Sequence, residues 1–160
     1  MNKAEPALHE ACEQIAFLLG TWRGEGSGEY PTIDAFRYTE ELRFWHVGKP
    51  FLAYTQRTAN ADTGAPMHAE MGYWRPVAPG RIEMVIAHPT GIAEVQEGSI
   101  DGTTIDVATE VVVRTPTAKE VTRLERTFTI DGDVMRYTLR MAAVGRDLTE
   151  HLRAELRRVE

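Results

Sequence analysis

Five histidines, two serines and one cysteine are the residues from which metal or nucleophilic chemistry would be built in this 160-residue chain. The histidines are His9, His46, His68, His88 and His151. No two stand at the spacing of a helical or hairpin metal pair, and no His-Glu-x-x-His or Cys-His cluster exists, which argues against a zinc hydrolase. Ser27 and Ser99 lie outside any Gly-x-Ser-x-Gly elbow, so a serine hydrolase has no support. Cys12 alone makes no internal disulfide and no Cys-rich zinc site, and it fits a reducing cytoplasm. Carboxylates are plentiful, but nothing in their spacing separates a general acid/base pair from solvated strand faces. A lone histidine is by default a hydrogen-bonded structural residue, a reading that suits His9 and His68. For His46, in "FWHVGKPF", and His88, in "IAHPTG", strand-end packing or turn capping competes evenly with a role at a site.

The stretch "LLGTWRGEGSGEYPTI", Leu18 to Ile33, is the other candidate for chemistry. Gly24, Gly26 and Gly28 alternate, whereas a dinucleotide fingerprint needs a third glycine where Glu29 or Pro31 stands, and no Lys-Ser/Thr pair supplies a P-loop. Glycines two apart clear one face of a strand, which then accepts a ligand or a tight bend. Trp22 is expected to pack inward and close the base.

Elements must position these residues. Leu8, Cys12, Ile15 and Leu19, at steps of four, three and four after Pro6, predict an N-terminal helix over residues 5–19. From residue 20 to 160, short runs of Val, Ile, Thr, Tyr and Phe alternate with Gly, Pro and Asp turns. Ile82, Met84 and Ile86 share one face, and Ile105, Val107, Thr109, Val111 and Val113 another. Leu124, Arg126, Phe128 and Ile130 enter a hairpin at Asp131-Gly132 that Met135, Tyr137, Leu139 and Met141 leave; Asp101-Gly102 predicts a second turn. About ten such segments in up-and-down order make the fold class all-β, a sandwich or barrel, and the regular alternation with few crossovers favours a closed antiparallel barrel, in a single domain. The last stretch conflicts with this. Leu148, Leu152, Leu156 and Val159 recur at helical spacing, yet a barrel needs a closing strand. His151 lies between Leu148 and Leu152, and on an apolar barrel wall its imidazole would suit an axial position on haem iron, although the residues by themselves favour a structural role.

A net charge of −6, with 42% hydrophobic and 26% charged residues, indicates an ordinary globular chain and disfavours a broad nucleic-acid or anionic-membrane surface. The absence of a long apolar run disfavours a secretion signal or membrane-spanning helix. No exposed apolar stripe is evident for a protein partner.

The segment Gly20-x-Trp22-x-Gly24-x-Gly26, continuing through Gly28 and Tyr30-Pro31-Thr32-Ile33, resembles the signature of the nitrobindins. "FWHVGKPFLAYTQ", "AHPTGIAEVQEG", "PTAKEVT", "YTLRMAAVG" and "HLRAEL" resemble family segments in the same order, covering the chain from Leu18 to its end. The resemblance implies a ten-stranded up-and-down barrel, like those of lipocalins and fatty-acid-binding proteins, whose terminal segment is a strand, not a helix. It implies haem b, one per chain, mostly ferric, with His151 as axial ligand and Thr32 and Lys119 beside the haem. It further implies isomerisation of peroxynitrite to nitrate and reversible binding of nitric oxide. The iron is then expected to be five-coordinate, with an apolar distal side. Small molecules are the expected partners, with a homodimer admitted and neither nucleic acid nor membrane. The alternatives are a carrier of a fatty acid or other apolar ligand, and a haem-based nitric-oxide sensor.

Overall fold

The computed structural model describes residues 4–160; the first three residues of the expected single domain lie outside the described part. Ten antiparallel strands follow one another: β1 (Gly20–Tyr30), β2 (Ile33–Trp45), β3 (Leu52–Asn60), β4 (Pro66–Ala78), β5 (Arg81–His88), β6 (Ile92–Asp101), β7 (Thr104–Arg114), β8 (Val121–Asp131), β9 (Val134–Ala143) and β10 (Thr149–Arg158). Each pairs with its sequence neighbours, and β10 pairs with β1 to close the barrel. The predicted turns at Asp101-Gly102 and Asp131-Gly132 join β6 to β7 and β8 to β9.

Closure decides the C-terminal segment. As a strand, β10 satisfies the backbone groups of two open edges at once, from Thr149↔Met141 on one side to Trp22↔Arg158 on the other. Ala154 and Leu156 point inward while Arg153, Glu155 and Arg157 face solvent, so the helical reading of Leu148, Leu152, Leu156 and Val159 does not hold.

The alternating glycines permit this closure. A Cβ on Gly24 would overlap the carbonyl of Glu155 on β10, and one on Gly26 would fall on the Tyr38 ring of β2. The cleared face is therefore occupied by neighbouring chain, including the Phe36 ring against Gly28. Trp22 is fully buried, as expected; its Nε1 donates to the Leu18 carbonyl at 2.8 Å, and the Arg158 guanidinium covers its ring at 4.2 Å.

Two local readings are corrected. The N-terminal element is a 3₁₀ helix, Glu10–Leu18, broken at Ile15, rather than a helix over 5–19. It buries Cys12, Ile15 and Leu18, at the three-residue step of a 3₁₀ face, and plugs the end where Trp22 lies. In β7, Ile105, Val107 and Thr109 point inward but Val111 and Val113 are exposed. Val95 pairs with Val111 and Gln96 with Thr109, so Glu110 is an extra residue that flips the alternation.

That flip builds an apolar outer face, contrary to the expectation of none. Tyr73, Val85, Val95 and Val111 form one cross-strand row over β4 to β7, and Met71, Ala87, Ala93 and Val113 the next, all exposed.

Inside, the closed end is packed with aromatic rings, Phe44 on Trp74 at 4.9 Å and Trp74 on Phe128 at 5.0 Å. Among the described residues no helix is long and apolar enough to cross a membrane.

Candidate functional site

The connections β1–β2, β3–β4, β5–β6, β7–β8 and β9–β10 surround the other end of the barrel, which opens into a cavity of about 570 Å³. That size encloses a small ligand or cofactor (roughly 300–1,000 Å³). Its upper wall is largely apolar, with Phe36, Ile92, Val121, Leu124, Leu139, Met141 and Leu152.

His151 lines this cavity from β10. It sits at the register shift between Glu150 and Leu152, so a bulge sets its direction. Its Nδ1 lies 2.9 Å from the Glu29 carbonyl oxygen; a carbonyl only accepts, so Nδ1 carries the proton and Nε2 the free lone pair. The rings of Tyr30 and Phe36 stand 5.3 and 6.3 Å from the imidazole and hold its plane. Burial lowers its pKa, the Glu29 carbonyl opposes this, and His68 adds to the lowering, so the ring is neutral at pH 7. A neutral, oriented imidazole with a free Nε2 at an apolar cavity fits the donor that haem iron requires.

The other expected residues divide. Lys119 lies at the cavity mouth, exposed. Thr32 is exposed in the turn between β1 and β2, at the same end but outside the cavity lining. His46 lies at the closed end, where its Nδ1 accepts from the Gly48 N–H at 3.3 Å, a turn-capping role. His9 caps the 3₁₀ helix through the Ala11 N–H.

The deep wall departs from the expected apolar character. Arg126, on β8, is buried and donates to both Glu94 oxygens at 2.8 and 3.0 Å and to Glu70 at 3.4 Å. Glu94 also bonds His88, whose other nitrogen is 3.0 Å from His68 Nε2. Tyr54 donates to Glu70 at 2.8 Å. Burial alone would raise the Glu70 pKa, but Arg126, with His68, His88 and Tyr54, holds it at about 2. Glu94 is likewise lowered against its burial, chiefly by Arg126.

Below them Glu40 lies beyond the reach of a cation. Its Oε2 accepts from Gln56 Nε2 at 2.6 Å and from the Tyr137 hydroxyl at 2.9 Å, and its Oε1 is unpartnered. Burial, offset by those two bonds and reinforced by Glu70, raises its pKa to about 8. It is a neutral acid at pH 7.

Sequence spacing paired no two histidines, yet His68 and His88 meet. The register Met71↔Ala87 makes them diagonal neighbours on antiparallel strands, twenty residues apart in the chain. The legible signal for this polar belt was phase: Glu40 lies between Tyr38 and Leu42, and Arg126 between Leu124 and Phe128, each a charge on an inward position. In barrel order β4 and β5 are four and five strands from β10, so the His68–His88 wall faces His151 across the cavity.

Comparison with known proteins agrees with this fold. Residues 11–158 match the model of the THAP4-like, heme-binding beta-barrel domain. The chain is 52% identical over 155 residues to peroxynitrite isomerase 2 of Mycobacterium marinum, covering 94% of this chain and 96% of that protein. It is 53% identical over 163 residues to peroxynitrite isomerase of Nocardia farcinica, covering 97% of each. The crystal structure of Rv2717c from M. tuberculosis superposes with a TM-score of 0.91 at 46% identity, covering 96% of this chain and all of that one. With the closed ten-stranded barrel, the cavity and a match over nearly its whole length, this chain belongs to the THAP4-like haem-binding β-barrel family, the nitrobindins that its glycine-tryptophan signature resembles.

Proposed function

We propose that this chain binds one haem b through Nε2 of His151 and isomerises peroxynitrite to nitrate, binding nitric oxide at the same position. The observation that carries the reading is the His151 imidazole, neutral, fixed through Nδ1 by the Glu29 carbonyl and facing a cavity of cofactor size. When bound, ferric haem supplies a Lewis-acidic iron that weakens the O–O bond of peroxynitrite, and no external electron is needed.

The chain does the positioning. His151 would hold the iron of the group through Nε2, with the rest of the cavity left for a small substrate. Phe36, Leu124, Leu139 and Met141 exclude bulk water from that space. Lys119 places a positive charge at the mouth, suited to a haem propionate and to an incoming anion. Thr32 is exposed on the β1–β2 turn at the same end, so it would meet the group only at its rim. The family's activity in two relatives named peroxynitrite isomerase supports the reaction.

The carrier alternative meets an obstacle in the same cavity. An apolar tail reaching down the barrel would end against the buried charges of Glu70, Glu94 and Arg126, a wall that offers it no apolar contact. We further propose a homodimer, with a second copy covering the apolar face of β4 to β7. A cytoplasmic location, and partners that include neither nucleic acid nor membrane, fit the single free cysteine and the net charge of −6.

Ferric haem titration of the native chain and of His151→Ala, followed by absorbance and then by peroxynitrite decay, tests the proposal. A saturable Soret band at about one haem per chain, lost in the variant together with the accelerated decay, is expected. Equal weak binding by both proteins would overturn the axial assignment.

A further inference from the structure

The wall opposite His151 carries three donor atoms that converge on one point. Nε2 of His68 and Nδ1 of His88 are 3.0 Å apart. Oε2 of Glu70 lies 3.4 Å from the second and 3.6 Å from the first. Two ring nitrogens and a carboxylate oxygen do not hold such a triangle for free. Without a cation, the nitrogens face each other over a single shared proton, and Oε2 of Glu70 has only the 3.4 Å contact with Arg126 beside the two rings.

Tetrahedral zinc, with bonds of about 2.0–2.2 Å, separates its ligand atoms by about 3.4 Å. The observed triangle has the dimensions of one face of that tetrahedron. We propose that this wall is a binding site for a zinc-class divalent cation, held by His68, His88 and Glu70, with its fourth position open to the cavity.

The surroundings supply what such a site needs beyond its ligands. The remaining nitrogen of His88, Nε2, is bonded to Glu94, and Glu94 is anchored by two bonds from Arg126. This carboxylate–histidine pairing fixes the tautomer so that Nδ1 presents its lone pair. The second oxygen of Glu70 accepts from Tyr54, which orients Oε2. Arg126 also approaches Glu70, but at 3.4 Å, longer than its bonds to Glu94. That contact is to Oε2 itself, but one guanidinium faces two carboxylates, Glu70 and Glu94, so one negative charge of the three groups is left over for a cation. His68 is about one third exposed, so an ion has a path from the mouth. The donor set, two imidazoles and one carboxylate, is one that zinc takes with an open coordination position.

The test uses the tag-free full-length chain without haem, so its result is independent of the haem reading. Co²⁺ is titrated first, its visible bands reporting tetrahedral geometry, and Zn²⁺ is then used to displace it. About one tetrahedral Co²⁺ per chain, displaced by Zn²⁺, is expected. His68→Ala, at a partly exposed position, and Glu70→Gln, which keeps the size of the side chain, should each weaken binding by at least about 100-fold, beyond the cost of losing a merely supporting residue. His151→Ala should bind the metal as the native chain does. Circular dichroism checks that each variant is folded. Absence of tetrahedral bands, or bands unchanged in folded His68→Ala, would overturn the proposal and leave the histidine pair as a proton-sharing contact.

Discussion

Replacing Glu40 by glutamine should raise stability in a way that depends on pH. The Glu40 pKa is raised from its ordinary 4.5 to about 8 in the folded chain, so folding favours the protonated form. Its contribution is therefore complete below about pH 4.5 and is lost as pH rises toward about 8. The loss amounts to about 1 kcal/mol at pH 5, about 3 kcal/mol at pH 7 and about 4 kcal/mol at pH 8. Glutamine keeps an oxygen to accept from Gln56 and Tyr137 and carries no ionisable proton. Glu70 gives the opposite slope, since stability from its lowered pKa is lost as pH falls from about 4.5 to about 2, but it is present in both proteins and cancels. Thermal unfolding of the native chain and Glu40→Gln between pH 5 and pH 8.5 measures the difference. The two curves should nearly meet at pH 5 and separate by roughly 10 °C at pH 8. Parallel curves across the range would refute the claim that Glu40 is held as a neutral acid.

Two further substitutions test the architecture. Gly26→Val places a side chain where the Tyr38 ring and the Arg153 carbonyl already lie, so folded protein should be lost; normal folding with loss of haem alone would mean that the glycine clears space for the ligand instead. Val95→Lys puts a charge at the centre of the exposed apolar face and should convert a dimer to a monomer in sedimentation without altering circular dichroism; a native chain that is already monomeric would dispose of the dimer.

The strands were legible because alternation is a local property. Ile82, Met84 and Ile86, or Met135, Tyr137 and Leu139, declare an inward face from two-residue spacing alone, and Asp-Gly pairs mark the turns between such runs. The limits appear where a neighbour intervenes. Nothing in "VATEVVVR" announces that Glu110 is extra, because a bulge exists only relative to the partner strand. The N-terminal element shows the same dependence: the closed end it plugs selects a three-residue step over the helical spacing of Leu8, Cys12, Ile15 and Leu19.

His151 was identifiable from its family segment, but its chemistry was not. The proton on Nδ1 is set by the Glu29 carbonyl, 122 residues earlier in the chain. The polar belt is a stronger case, since Glu40, Glu70, Glu94 and Arg126 come from four strands and no two are close in sequence. Amino-acid order by itself determined which residues alternate, where the chain turns and which histidine the family would use. Tertiary structure decided which face each strand turned inward past a bulge, which charges met and which acid remained neutral. Alternation depends on neighbours along one strand, whereas register, closure and desolvation depend on neighbours across the barrel.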